Sequence, residues 1–200
     1  MTKDEIIIQS IIDAAKKLMQ QYGLNKTTME DIAKEAGKGK STLYHYFKSK
    51  EEIFDQVINQ EIDDFFNTVK TTIEKENDAI EMLKTYIVTK INTLKGKVNL
   101  YRFAIETDFH TAKVNDMFQK LRNRYDKEDM YQISYILNTG IKSGLFKAEI
   151  QIEIEMLSEL FVSCIRGIEM DIITNSKNKD LAEKADFLVE ILIKGIGKTN

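Results

Sequence analysis

The chain has 200 residues, of which 42% are hydrophobic and 30% charged, so it can bury a core and is too apolar to be disordered. Its single cysteine excludes an internal disulfide and a cysteine-based metal cluster, and it fits a reducing, cytoplasmic location. No apolar run approaches the ~20 residues that cross a membrane, and the N-terminus lacks the pattern of a signal peptide.

Helix-forming patterns begin close to the N-terminus. The chain has no proline and 9 glycines, so little interrupts a helix. Apolar residues at three- and four-residue intervals over residues 8–22 predict a first amphipathic helix. Thr28 and Asp31 have the spacing of a capping box, which predicts a second helix from there to about residue 36. Gly37 is expected to end that helix with a positive φ.

A short third helix is predicted within residues 37–47. Successive side chains of a helix are rotated by ~100°, so Leu43, Tyr46 and Phe47 share one side. Ser41 and His45 share the opposite side. The first side can pack against neighbouring helices, and the second can form hydrogen bonds. Two short helices joined by a glycine-containing turn form a helix-turn-helix, whose second helix enters the major groove of DNA.

The charge around this segment favours a nucleic-acid partner. The net charge of the chain is −3, but Lys38, Lys40, Lys48 and Lys50 lie in a stretch with no acidic residue between residues 36 and 50. A local basic patch on an acidic body can bind phosphate, because the distribution of charge matters more than its sum. We therefore expect double-stranded DNA as a partner.

Two stretches of this region resemble a known family. The sequences TTMEDIAKEAG at residues 27–37 and KSTLYHYFKSKEE at residues 40–52 are similar to the N-terminal signature of TetR-family transcriptional regulators. The similarity covers roughly residues 8–58. Lys38 stands where the family usually has a small apolar residue, Gly39 replaces a frequent serine cap, and Ser41 stands where glycine is common. The resemblance therefore does not predict the base preference.

The expected DNA contacts divide by chemistry. Lysine ammonium groups and the hydroxyl groups of Thr28, Tyr44 and Tyr46 are expected to bind the sugar-phosphate backbone. The candidates for contact with base edges are Ser41, Thr42 and His45. In the family that the segment resembles, the lysine at the start of the fourth helix contacts a phosphate, and Lys50 matches it. The predicted DNA-binding residues are Thr28, Lys38, Gly39, Lys40, Ser41, Thr42, Tyr44, His45, Tyr46 and Lys50.

A long helix is expected to follow this segment. Ser49 and Glu52 have the spacing of another capping box, and the apolar pattern continues to residue 73. Further helices are predicted over about residues 80–96, 100–109, 114–142, 156–168 and 181–194. We predict an all-α fold, with a three-helix helix-turn-helix head at residues 1–48. The long helix joins this head to an effector-binding and dimerisation body at residues 49–200.

The predicted body is rich in aromatic residues and methionines. That composition suits a mostly apolar ligand pocket, although many of the same residues could simply form the core. TetR-like proteins that bind lipophilic effectors have such pockets, so a small-molecule effector is an expected partner. The pocket candidates are Tyr86, Tyr101, Phe103, Phe109, Met117, Phe118, Leu121, Tyr125, Phe161 and Ile165.

The last two predicted helices carry apolar stripes. The resemblance implies that they form a four-helix bundle with a second copy of the chain; the alternative is that both stripes pack within one subunit. Cys164 lies on the first of these stripes and is expected in the core. The dimer-interface candidates are Met156, Leu160, Ile168, Leu188, Ile191 and Leu192.

These expectations combine into a homodimeric TetR-like repressor that a lipophilic effector releases from a near-palindromic operator. An alternative is a helix-turn-helix factor without a small-molecule effector, controlled by a protein partner. A helical lipid carrier or an enzyme is a third possibility, but it leaves the basic helix-turn-helix unexplained. No catalytic residue, metal ligand or cofactor is expected, since His110 has no second ligand at metal-binding spacing.

Overall fold

The structure, a computed structural model, describes residues 1–96, 112–175, 183 and 185–196. These residues form helices and no strand, which confirms the predicted all-α fold. The predicted helix at residues 100–109 lies outside the described residues. The described helices are α1 (Lys3–Tyr22), α2 (Met29–Glu35), α3 (Lys40–Tyr46), α4 (Lys50–Ile73), α5 (Ala79–Gly96), α6 (Ala112–Lys142), a 3₁₀ helix (Ala148–Glu153), α7 (Ile154–Asn175) and α8 (Ala185–Ile196).

The starts of the first two helices have local chemical causes. α1 begins at Lys3 because Thr2 and Glu5 form a capping box, in which the Thr2 hydroxyl accepts a hydrogen bond from the Glu5 N–H. This start precedes the apolar pattern from which the helix was predicted. α2 begins with the predicted capping box, since the Thr28 hydroxyl accepts a hydrogen bond of 3.1 Å from the Asp31 N–H.

The chain forms two compact units. The first consists of Met1–Asp63 together with the start of α6, to Arg122, and the second of Asp64–Gly96 and Asn123–Asn200. Residues of α4 and α6 therefore belong to both units. The predicted functional boundary after residue 48 lies before α4, and it stays a prediction.

The first unit is held by apolar packing and by two polar links between α1 and α4. Its core contains the fully buried side chains of Ile11 and Ile32, among others. The amides of Gln9 and Gln60 donate to each other over 3.2 and 3.1 Å. The carboxylate of Glu61, which is fully buried, is ion-paired with Lys16. A buried carboxylate is tolerated only with such a partner.

The second unit has a core between α5, α6, α7 and α8. Fully buried residues of this core include Ile133, Ile136 and Leu137 of α6. Near the end of α6, the chain turns back and packs the ring of Phe146 against the backbone of Gly140, whose carbonyl accepts a hydrogen bond of 3.0 Å from the Phe146 N–H. The close approach requires a residue without a side chain at position 140.

Candidate nucleic-acid interface

α3 has one buried side and one exposed side, as its sequence predicted. Leu43 is fully buried and Phe47, which ends the helix, retains 7% of its accessible surface. Ser41, Tyr44 and His45 are exposed. Because the apolar side fixes the helix to the first unit, the exposed side is presented on a rigid support. Contact of this side with DNA stays a prediction.

The turn before α3 sets the direction of that helix. Gly37 has a φ of 63°, in the left-handed region that favours glycine. The N–H of Lys38 donates to the carbonyl of Ala33 over 2.9 Å, which closes the end of α2. Ala33 is 4% exposed, and its small side chain allows the two helices to approach closely. These features produce the compact helix-turn-helix that the spacing predicted.

Lys40, the first residue of α3, has an acidic partner within the protein. Its ammonium group forms an ion pair with the carboxylate of Glu30 on α2 and lies 5.9 Å from the centre of the Tyr44 ring. The hydrogen bond with Glu30 raises the pKa of Lys40, and the same bond lowers the pKa of Glu30. Both groups are therefore charged at neutral pH.

Two further predicted contact residues also have partners within the first unit. The hydroxyl of Tyr46 donates to Asp4 over 2.7 Å, and this hydrogen bond raises the pKa of Tyr46. The ammonium group of Lys50 donates to the carbonyl oxygens of Leu24 and Thr27, over 3.1 and 3.3 Å. Lys50 thus closes the loop before α2 in this structure, and its role at a phosphate stays a prediction.

The remaining predicted residues occupy the same part of the chain. Thr28 is exposed, but its hydroxyl is used in the capping box and also donates to the Asp31 carboxylate over 2.6 Å. Lys38 and Thr42 are half-buried, whereas Gly39 is exposed and is the N-cap of α3 with no side-chain hydrogen bond. All ten predicted residues therefore lie between the N-cap of α2 and the first residue of α4.

The second unit contains a cluster of polar side chains in its interior that was not predicted from the sequence. We call it the Lys90 cluster: Lys90 and Tyr86 of α5, Tyr125 and Asp129 of α6, and Glu169 of α7. The Lys90 ammonium is ion-paired with Asp129 and lies 3.3 Å from the Glu169 carboxylate. The Tyr86 hydroxyl donates to Asp129 over 2.6 Å, and the Tyr125 hydroxyl donates to Glu169 over 3.1 Å.

Burial determines the electrostatics of the Lys90 cluster. The side chains of Lys90 and Asp129 are 1% and 2% exposed, and that of Glu169 is 13% exposed. Burial raises the pKa of Glu169, although the nearby Lys90 ammonium acts in the opposite direction. Burial likewise raises the pKa of Tyr86. Two carboxylates therefore share a single ammonium, and burial makes the Glu169 carboxylate easier to protonate than an exposed glutamate.

The Lys90 cluster also contacts the C-terminal half of α4. The Tyr125 ring is stacked with the Phe65 ring, and their centres are 6.0 Å apart. It makes a T-shaped contact with the Phe66 ring, with 5.2 Å between the centres. The Lys90 ammonium lies 4.9 Å from the centre of the same Tyr125 ring. Tyr125 thus joins the polar cluster to the aromatic side of α4.

Comparison with known proteins shows similarity to one family. Residues 11–57 match the model of the bacterial regulatory proteins of the tetR family. The fatty acid metabolism regulator protein of Bacillus subtilis (strain 168) is 27% identical over 186 residues, which are 93% of each chain. The HTH-type transcriptional repressor KstR2 of Rhodococcus jostii (strain RHA1) is 28% identical over 147 residues, 72% of this chain and 70% of that protein. Residues 11–57 thus carry the N-terminal segment of the tetR family, and the matches along the rest of the chain support a TetR-family transcriptional regulator.

A solved structure supports the TetR-family fold over nearly the whole chain. The transcriptional regulator FadR from Bacillus subtilis, in complex with stearoyl-CoA, superposes with a TM-score of 0.73 at 24% identity. The match covers 94% of this chain and 98% of that one. The matched family model spans α2 and α3 with parts of α1 and α4, which is where the helix-turn-helix lies.

The predicted ligand pocket is only partly described. Tyr86 is buried, and it lies with the half-buried Tyr125 in the Lys90 cluster. Phe161 is buried and Ile165 half-buried on α7 of the second unit, whereas Leu121 is buried in the first unit. Tyr101, Phe103 and Phe109, and the side chains of Met117 and Phe118, lie outside what is described. Lining of a pocket by any of them stays a prediction.

α7 and α8 expose large apolar side chains. Met156, Leu160, Phe187 and Ile191 retain 60%, 59%, 61% and 52% of their surfaces, and we call them the α7–α8 apolar face. Single exposed apolar residues are ordinary, but α7 and α8 both pack against α5, and several exposed apolar residues on two such helices are typical of an interaction surface. The predicted interface residues Ile168 and Leu192 are half-buried, and the side chain of Leu188 lies outside what is described.

The prediction that Cys164 is a core residue is wrong, because the side chain is exposed. Cys164 follows Met156 and Leu160 at four-residue intervals, so all three lie on one side of α7. The apolar stripe was read correctly, but this part of it points away from the core of the subunit.

Among the helices that the structure describes, none is both long and apolar enough to cross a membrane.

Proposed function

We propose that the chain is a homodimeric repressor that binds a near-palindromic operator through α3 of each subunit and leaves it when a small lipophilic effector binds the body. The observation that carries the proposal is the two-sided α3. Leu43 anchors the helix, and the exposed Ser41 and His45 have the chemistry to meet base edges.

Dimerisation explains how so short a helix could select an operator. α3 has only seven residues and can touch few base pairs. Two copies placed ~34–36 Å apart read two half-sites on one side of the duplex. The α7–α8 apolar face is the surface we assign to the contact between copies. A two-fold contact places the same patch of each subunit against the other, so one exposed apolar face is sufficient.

Relatives of the chain support a lipophilic effector. The Bacillus subtilis protein that is 27% identical is a fatty acid metabolism regulator, and a solved FadR structure contains stearoyl-CoA. We therefore propose long-chain acyl compounds as the first effector class to test. An effector that prefers the released state by ~1–3 kcal/mol changes operator affinity by about 5- to 150-fold, which is enough to relieve repression.

The test has two stages. Genomic DNA of the source organism is passed over the immobilised protein, and the retained fragments are sequenced and footprinted. A protected near-palindrome is expected, and its absence at low salt would sink the proposal. Stearoyl-CoA, stearate and a short-chain acyl-CoA are then titrated against the operator complex. Release by a long-chain compound supports the effector class, whereas operator binding that no compound alters would favour control by a protein partner.

A further inference from the structure

The lysine of α3 that is predicted to bind phosphate, Lys40, is ion-paired with a carboxylate of the same chain. Lys40 and Glu30 form an ion pair in which the side chains keep 61% and 56% of their surfaces. The pair is therefore accessible, and a DNA phosphate could reach the same ammonium group. Lys40 lies at the start of the helix that we place in the DNA groove, and Glu30 lies in the first turn of α2.

A carboxylate and a phosphate are alternative partners for one ammonium group. Both carry negative charge and accept hydrogen bonds, so Lys40 satisfies one of them only by weakening its contact with the other. Glu30 also places a negative charge beside the surface that phosphates would approach. Because the hydrogen bond lowers the pKa of Glu30, this carboxylate stays ionised at neutral pH.

We propose that Glu30 competes with DNA phosphates for Lys40 and thereby limits how tightly this regulator holds DNA of any sequence. The inference rests on the DNA binding proposed above and adds a residue that weakens it. Contacts to phosphates carry no sequence information, so the effect extends to operator and non-operator DNA alike. Glu30 would keep the regulator from being retained on the large excess of other sequences.

The same helix offers a matched control. Glu35, at the C-terminal end of α2, forms an ion pair with Lys17 of α1. Lys17 is not among the predicted DNA-binding residues. Glu35→Gln therefore removes the same charge from the same helix without releasing a predicted phosphate contact.

The experiment needs no knowledge of the operator. Binding of a labelled random-sequence duplex, about three helical turns long, is measured by fluorescence anisotropy at several KCl concentrations. Glu30→Gln is expected to lower Kd on the order of tenfold for a dimer. It should also steepen the dependence of log Kd on log salt by about one per subunit. Glu35→Gln is expected to change neither quantity, and thermal unfolding shows whether each variant is folded.

A double-mutant cycle tests whether Glu30 weakens DNA binding through Lys40. In a Lys40→Ala background, Glu30→Gln is expected to improve binding far less than in the parent protein. The proposal is overturned if Glu30→Gln weakens binding, since Glu30 would then position Lys40. It is also overturned if the improvement is the same in both backgrounds or in Glu35→Gln, since simple repulsion would explain it. Folded proteins that all fail to bind DNA at low salt would instead refute the proposed function.

Discussion

At the scale of single residues, we expect different residues near the exposed side of α3 to set DNA affinity and sequence preference. His45 is exposed on that side, and we expect it to meet a base edge, whereas we expect Lys38 in the preceding turn to meet the sugar-phosphate backbone. Loss of a good base contact costs about tenfold in affinity, and only for the sequence that contains the matching base.

His45→Ala is therefore expected to weaken operator binding by about tenfold per half-site and to leave binding to random DNA nearly unchanged. Lys38→Ala is the control, and it should weaken binding to both DNAs alike. Competition of unlabelled random duplex against a labelled operator measures the two effects together. Equal losses on both DNAs for His45→Ala would show that the imidazole does not read the sequence.

The sequence predicted which side of α3 is buried but not the partners that its residues have within the protein. Helical periodicity places Leu43 and His45 on opposite sides, because rotation per residue is a local property. The partners of Lys40 and Tyr46 are Glu30 and Asp4, which lie 10 and 42 positions away in the sequence. Such contacts depend on how the helices pack, so local patterns do not reveal them.

At the scale of secondary-structure elements, the end of α6 depends on a glycine. A Cβ atom at position 140 would overlap the ring of Phe146, which is 1% exposed and has little room to move. Alanine usually stabilises a helix relative to glycine by ~1 kcal/mol, whereas overpacking a core costs ~1–3 kcal/mol. The cost of overpacking should therefore exceed the gain in helix propensity at position 140.

Gly140→Ala is expected to lower the free energy of unfolding by up to about 2 kcal/mol, the difference between these two effects. Gly195→Ala on α8 is the control, because a Cβ there meets nothing within 4 Å. Urea unfolding, followed by circular dichroism, measures both variants. A Gly140→Ala variant as stable as the parent would mean that Phe146 moves aside at little cost.

The Lys90 cluster joins three helices and predicts a pH dependence of stability. Because burial raises the pKa of Glu169, the folded protein holds this proton more tightly than the unfolded chain does. The stabilisation is complete below the pKa of an unfolded glutamate, about 4.3, and it is lost as pH rises through the higher folded pKa. The same cluster was missed in the sequence because Lys90 occupies an apolar position of the α5 pattern.

Glu169→Gln imitates the protonated side chain and should remove this loss. We expect the variant to gain stability relative to the parent as pH rises from about 4 to 8, which covers that titration. Glu159→Gln, on an exposed position of α7, should show no such trend. Urea unfolding at several pH values provides the measurement. A constant difference between Glu169→Gln and the parent over this range would exclude the predicted titration.

At the scale of the whole molecule, assembly is proposed to depend on the α7–α8 apolar face. Leu160→Asp places a charge where two copies would exclude water, so it is expected to give a monomer. The monomer should bind a single half-site weakly and lose the near-palindromic footprint. Tyr131→Asp on α6, at a position that is similarly exposed, is the control. Light scattering coupled to gel filtration would report the mass, and a dimeric Leu160→Asp would contradict the assignment.

At this scale too, only part of the fold could be predicted from the sequence. The all-α class and the bounds of α4 and α5 were predicted because their apolar periods are long and their ends have capping or glycine signals. The start of α1 and the 3₁₀ helix at Ala148–Glu153 were not, because neither has an apolar repeat. A stripe such as that of Met156 and Leu160 shows that a side of a helix is apolar, but not whether the same subunit covers it.

The exposed thiol of Cys164 makes the molecule convenient to label. It is the single cysteine of the chain, so a maleimide reagent would attach one probe to each subunit. Slow alkylation in concentrated protein and fast alkylation after dilution would then follow association directly, with no substitution in the chain.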